Sequence, residues 1–312
     1  MTESIDESTT EQDCQSEQEL DTECGAHHKI SVTAKLVAFF RQFSDIPFAK
    51  DVAEFVGAEA AFQKILEDTG LQASDLKEFS PVFEARYKSI VNVIANSGIN
   101  QVLELASGFS LRGFAMTRAA SLTYIESDLR ELNSEKLKLL AELSQHKAED
   151  GCGNHSVATV NALVLSELQE AVRQLDKNLP LIVVHEGLVQ YFSKEERELL
   201  AKNIRALLAE FAGGCWITPD FSFRAEVDNV SAARQQLRQA VMGVTARTLY
   251  ESAFEGEEGL QQFFIDSGFQ GELHYQVDET PNFTSLEKWQ LPPAILEKLK
   301  KRLRLWVLKP VS

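Results

Sequence analysis

Residues 101–128 read QVLELASGFSLRGFAMTRAASLTYIESD. Val102 to Ala106 is an aliphatic run around one acid, followed by the small-residue turn Ser107-Gly108-Phe109-Ser110. A helical pattern then runs from Leu111 to Ala120, and a second apolar run, LTYIES, leads to Glu126 and Asp128. Strand, turn, helix and strand in this order make the βαβ unit of a doubly wound α/β fold, which takes a ligand across the carboxyl ends of its strands. The turn is not a G-x-G-x-x-G loop; it reads E-x-A-x-G-x-S, with Gly108 where a backbone must approach a ligand closely.

Downstream the alternation continues. Glu131 to Leu143 is an amphipathic helix, HSVATVNAL a third strand, Ser166 to Leu175 a helix, and PLIVVHEGL a fourth strand. Ser193 to Phe211 is a long helix opened by a capping box, Ser193 with Glu196. CWITPDF is a fifth strand, and residues 226–253 form a polar helical insertion after it. A helix at Leu260 to Ser267, the strand ELHYQV, a helix at Pro292 to Arg302 and the strand LRLWVLKP complete seven strands, the last two as a hairpin-like pair at one sheet edge. Strands separated by helical segments of this length pair in parallel through right-handed crossovers.

Upstream, residues 29–98 read as a helical cap over one end of the sheet. Helices are expected from Ser31 to Phe43, from Val52 to Leu66, and from Ser80, with Pro81 in its first turn, to Ile94. Residues 1–28 carry nine Asp or Glu and no Lys or Arg, and almost no large apolar side chain, the composition of a disordered acidic tail. The chain is therefore expected to have one domain, residues 29–312, with an α/β core at 99–312.

The formal charge of −16 falls to about −7 once that tail is set aside. Such a balance repels phosphate backbones and argues against nucleic acid as a partner. Cys14, Cys24, Cys152 and Cys215 form neither a metal-binding pair nor a disulfide framework. No apolar run approaches the ~20 residues that span a bilayer, and the first residues lack a signal pattern. No membrane contact and a cytoplasmic location are expected.

Candidate site residues cluster at the strand ends. Glu126, with Asp128 as its competitor, is placed to accept hydrogen bonds from the hydroxyls of a ribose, whether of a nicotinamide dinucleotide or another nucleoside. Asn161 either meets a purine edge or makes a turn. His185 is read in two ways, as a general base or as a hydrogen-bonded structural residue, while Glu186 beside it is hard to explain as surface.

The blocks ELASGFSLRG, YIESDL, VVHEGLVQYFS and WITPD together resemble the leucine carboxyl methyltransferase family, including its polyketide O-methyltransferase-like members. Glu186, Gly187, Tyr191 and Phe192 match its E-G-x-x-x-Y-[LF] block, and Gly108, Ser110 and Arg112 its G-x-[DS]-x-R block. Ala106 and Ser110 stand where the first and third turn glycines are usual, and Asn161 where an acid is usual. The resemblance implies a class I methyltransferase fold, Rossmann-like, with S-adenosylmethionine as cofactor and no metal. It implies that Lys35 and Arg86 meet the cofactor carboxylate, that Glu104, Ala106 and Gly108 form the turn beneath it, that Glu126 holds its ribose, that Asn161 and Ala162 border its adenine, and that Glu186 sits by its methionine portion.

The expected activity is O-methylation of a carboxylate or hydroxyl. The acceptor is a small molecule, or alternatively a protein C-terminus. Tyr191 and His185 are the catalytic candidates, and Phe40, Phe43, Tyr191, Phe223 and Arg224 the acceptor-pocket candidates. The rival readings are a nicotinamide-dependent oxidoreductase and a non-catalytic binding protein.

Overall fold

A computed structural model describes residues 32–146, 154–228, 231–244 and 253–311. The expected acidic tail and residues 229–230 and 245–252 of the expected insertion lie outside the described residues. The helical cap comprises α1 (residues 32–41), α2 (Ala49–Phe55), α3 (Ala58–Thr69), α4 (Ala73–Leu76) and α5 (Phe79–Asn96). The single helix expected from Val52 to Leu66 is two, because Gly57 takes a left-handed φ of 62° between α2 and α3.

The α/β alternation follows the sequence reading. It runs β1 (Gln101–Leu105), α6 (Arg112–Ala119), β2 (Thr123–Asp128), α7 (Arg130–His146), β3 (His155–Thr159), α8 (Leu165–Ala171), β4 (Leu181–His185), α9 (Lys194–Leu208) and β5 (Gly214–Thr218). The Ser193 cap forms its box, with Glu196 N donating to Ser193 Oγ at 3.2 Å and Ser193 N to Glu196 Oε2 at 2.9 Å. The insertion contributes α10 (Arg224–Asp228) and α11 (Ala232–Val244), and the chain continues through α12 (Glu257–Asp266), β6 (Phe269–Tyr275), α13 (Thr284–Lys288), α14 (Ile295–Lys300) and β7 (Arg304–Pro310).

The strand order is β3-β2-β1-β4-β5-β7-β6. The first five strands are parallel; β7 enters antiparallel between β5 and β6. This is the mostly parallel seven-stranded sheet of the class I methyltransferase fold. Alternate residues of each central strand go to opposite faces, as the two-residue period of a strand requires. Val102, Tyr124, Ile182 and Val184 pack with Ile90 and Ile94 of α5. Leu103, Ile125, Leu181, Val183 and Trp216 pack against α8, α9 and α12. Both faces are covered, so β1 and β4 are buried throughout. A third apolar cluster unites α1 to α4 with Phe109, Leu111, Leu139 and, from α11, Leu237. The cap is thereby fixed over the carboxyl ends of the strands, and α11 closes against it.

Candidate ligand-binding and catalytic site

A cavity of about 870 Å³ lies between those strand ends and the cap. Its floor is the turn after β1. Ala106 and Gly108 both take left-handed φ values, 49° and 51°, which turn the chain tightly enough to expose its backbone to the cavity. The turn is pinned from below: Ser107 N donates to Ser127 O at 2.9 Å, and Lys136 Nζ donates to Ser107 Oγ at 2.7 Å. It is pinned from the side by Asp128, whose Oδ2 accepts from Gly108 N at 2.7 Å and whose Oδ1 accepts from Leu129 N at 2.8 Å. Each carboxylate oxygen has the capacity for more than one hydrogen bond, and Asp128 lines the cavity.

One wall is a chain of alternating charges. Arg41 Nη2 and Arg112 Nη2 each donate to Glu186, to Oε1 and Oε2, both at 2.5 Å. Arg112 Nη1 reaches Glu104, which also accepts from Tyr124 OH at 2.7 Å. The Tyr87 ring lies 5.3 Å from the Arg41 guanidinium and 4.8 Å from that of Arg112. Burial alone would raise the Glu186 carboxyl, but Arg41, Arg112 and Arg86 hold it below the usual range, so it is a carboxylate.

The loop that carries Glu186 is positioned by Asp220, just past β5. Its carboxylate accepts from Gly187 N at 2.8 Å, Leu188 N at 2.7 Å and Val189 N at 3.2 Å, and contacts His185 Nδ1 at 2.9 Å. Burial works against this charge, yet the His185 contact, Arg86 and the backbone amide bring the pKa down to about 2. The WITPD block therefore has a physical reason: its acid organises the E-G-L-V loop.

The cavity brings together Arg86, Glu104, Ala106, Gly108, Asn161, Ala162, Glu186 and Tyr191 as the sequence suggested. Asn161 Oδ1 accepts from Leu163 N at 3.0 Å, so its side chain makes a turn while its backbone stays at the rim. Several other expectations need correction. Glu126 does not line the cavity; it is sealed beneath the turn, accepting from Gly113 N at 2.7 Å and Lys136 Nζ at 2.8 Å. Two residues further on, its competitor Asp128 lines the cavity at the sheet rim. His185 is fully buried with Asp220 and Trp216 and is no base for a ligand in the cavity.

Lys35 does not line the cavity, because Ala34, Val37, Ala38 and Arg41 form the stripe that α1 turns inward. Phe40 is fully buried against Phe62, Phe79 and Phe83 inside the cap, and Phe43 packs on Trp289 at 4.6 Å. Phe223 is buried beside Phe254, and Arg224 points to Glu255 at 3.7 Å. None of these four lines the cavity. Arg41 was findable from helical periodicity; Asp220 and Lys136 act through contacts that no local pattern announces.

Four donors on the cavity wall have no hydrogen-bond partner among the described residues: Thr33 Oγ1, Arg41 Nε, Arg86 Nε and Ser110 Oγ. Buried donors left unmet are costly, so this end of the wall fits an anionic group such as an amino-acid carboxylate. Asp128 fits vicinal hydroxyls at the other end of the turn. The donor set thus suits S-adenosylmethionine. Among the described residues, no helix is long and apolar enough to cross a membrane.

The family model of leucine carboxyl methyltransferase matches residues 43–205, just over half of the chain. A Mycolicibacterium paratuberculosis protein named "Putative S-adenosyl-L-methionine-dependent methyltransferase" is 28% identical over 192 residues, 60% of this chain and 54% of its own length. A protein of the same name from Mycobacteroides abscessus is 28% identical over 223 residues, 66% of this chain and 68% of that one. The chain thus spans about half the length of the first relative and about two thirds of the second. A crystal structure of a Thermobifida fusca protein titled as a methyltransferase aligns with a TM-score of 0.49 at 15% identity, over 81% of this chain and 88% of that one. The family match and the two sequence relatives lend no support to the nicotinamide reading.

Proposed function

Because the chain belongs to the leucine carboxyl methyltransferase family, we propose that it is an S-adenosylmethionine-dependent O-methyltransferase acting on a small molecule. The observation that carries this reading is the convergence, over one turn, of the Asp128 carboxylate and the unmet donors of Thr33, Arg86 and Ser110. S-adenosylmethionine, when bound, supplies a methyl group already activated on a sulfonium. Asp128 would accept from its ribose hydroxyls, and Arg86, Thr33 and Ser110 would donate to its carboxylate. Glu186, kept ionised by Arg41 and Arg112, would accept from its ammonium group.

The cap and α11 would exclude water and hold the acceptor oxygen in line, the two things this chemistry asks of a protein. Among the described residues no histidine lines the cavity. A carboxylate acceptor, which is already deprotonated, therefore suits the site better than a hydroxyl. Tyr191 remains the group that would orient it from the β4 side.

The test is calorimetric titration with S-adenosylhomocysteine and, separately, with NAD. Binding of the first is expected, weakened in Asp128→Ala by roughly 2–3 kcal/mol, the value of charge-assisted hydrogen bonds. Binding of NAD alone would overturn the reading.

A further inference from the structure

The buried stripe of α7 runs Asn133, Lys136, Leu139 and Leu143, at helical spacing, and its Lys136 stands where an aliphatic side chain would be expected. A lysine shut away from water is costly unless its ammonium is paired and hydrogen-bonded. The partner here is Glu126, 2.8 Å away. A buried ion pair, however, adds little net stability over apolar residues of similar volume. The second bond of the ammonium gives the pair another reason to be there.

Lys136 Nζ donates to Ser107 Oγ at 2.7 Å. An ammonium can only donate, so the Ser107 hydroxyl must accept from it, and its own proton goes to Ser127 O at 3.1 Å. Ser107 N donates to the same carbonyl at 2.9 Å. Two donors of one residue on one oxygen fix both its backbone and its side chain. On either side, Ala106 and Gly108 hold their left-handed φ of 49° and 51°. For Ala106, which carries a Cβ, that conformation persists only where the surroundings impose it. Gly108 N, next along the chain, donates to Asp128 Oδ2 at 2.7 Å.

Helix α7 holds the other end of this unit as well. Asn133, one turn before Lys136, donates from Nδ2 to Asp128 O at 2.9 Å and to Ala158 O at 2.6 Å. Asp128 is thus fixed at its backbone by Asn133 and at its carboxylate by Gly108. Lys136 does not line the cavity, so any effect it has on a ligand passes through Ser107.

We propose that Lys136 is a positioning residue for the methyl donor: through Ser107 it sets the Gly108 amide, and with it the Asp128 carboxylate that takes the ribose hydroxyls. Hydrogen bonds to two vicinal hydroxyls depend on the angle of the carboxylate as well as on its distance. The proposal rests on the methyltransferase reading for the identity of the ligand, but not for the pin on the turn.

The experiment titrates four forms of the whole chain calorimetrically with S-adenosylhomocysteine and with 5′-methylthioadenosine, which keeps the nucleoside and lacks the amino-acid carboxylate. The four are the wild type, Ser107→Ala, Lys136→Met combined with Glu126→Gln, and the triple variant. Removing both charges together leaves no unpaired ion, and a Gln side chain can still accept from Gly113 N. Ser107→Ala and the charge-pair variant should each weaken both ligands by about tenfold, the value of one hydrogen bond to a charged group, with the two ligands agreeing within about twofold. The triple variant should bind within about twofold of either parent, because both changes break the same bond. A roughly hundredfold loss in the triple variant, wild-type affinity in the charge-pair variant, or a loss confined to S-adenosylhomocysteine overturns the proposal.

Urea midpoints establish that each variant is folded. Should the charge-pair variant not fold, hydrogen exchange decides: Ser107→Ala should speed exchange of the Gly108 amide by about tenfold, and an unchanged rate there overturns the pin. A wild type that binds neither ligand would sink the donor reading, and the Gly108 exchange rate would still judge the role of Lys136.

Discussion

Glu126 and Glu186 are both buried glutamates near the end of a parallel strand, and both are paired with buried cations, yet they belong to different parts of the molecule. Glu126 lies inside β2 and is closed in by Lys136, by the first amides of α6 and by the β1 turn above it. Glu186 lies one residue past β4, on a loop that Asp220 holds open toward the cavity. One carboxylate supports the floor of the site and the other faces its contents. A perturbed, buried, ion-paired acid is thus no mark of function by itself; its depth relative to the sheet rim decides.

Removing the cation from each cluster tests that distinction most directly. Lys136→Met leaves Glu126 charged and sealed from water, and should cost about 3–5 kcal/mol of stability in urea unfolding. Arg41→Met leaves Glu186 with Arg112 and the cavity solvent, so about 1–2 kcal/mol is expected there. Equal costs would erase the contrast between a sealed and an open cluster.

Acid sharpens the same contrast at a smaller scale. Burial would raise the Glu126 carboxyl, but Lys136 and His155 hold it at about 2, against 4.5 for an ordinary glutamate. A folded-state pKa below the unfolded one means that this stabilisation is complete above about pH 5 and is lost as the pH falls towards 2. Between pH 6 and pH 3 the loss from Glu126 should be roughly 2 kcal/mol, with about 1 kcal/mol more from Asp220. Urea midpoints across that range measure it, and Lys136→Met should flatten the profile. A flat wild-type profile would mean that neither carboxylate is held ionised.

The smallest effect concerns α1. Lys35→Ala should leave S-adenosylhomocysteine affinity within about twofold, because the helix turns Arg41 and not Lys35 toward the cavity. A tenfold loss would return the carboxylate contact to Lys35.

Much of this was legible in the sequence. Aliphatic strands separated by helical segments gave the sheet, the Ser193 capping box gave a helix start, and the blocks around Gly108 and Glu186 pointed to residues that line the cavity. What escaped was depth and direction. Glu126 and Asp128 share a strand phase, and only the tertiary approach of Lys136 and the α6 amides decides which of them is covered. Phe40 and Phe43 look like pocket residues by type, but the cap has its own core, which takes Phe40, while Phe43 packs on Trp289. His185 meets its carboxylate 35 residues away, just past the neighbouring strand, where no local pattern points to it.

The place of β7 has a consequence for the order in which the molecule assembles. Residues 304–310 fill the slot between β5 and β6, and β6 has no other strand neighbour. During synthesis, β1 to β5 can pair as they emerge, with β5 left as an open, apolar border. Strand β6 must wait without a partner until residues 304–310 have left the ribosome. Strands β1 to β4 and the cap are therefore expected to gain protection from hydrogen exchange before β5 does, and the antiparallel pair to lock last. The most distant stretch of chain from the ligand turn is the one that completes the sheet beneath it.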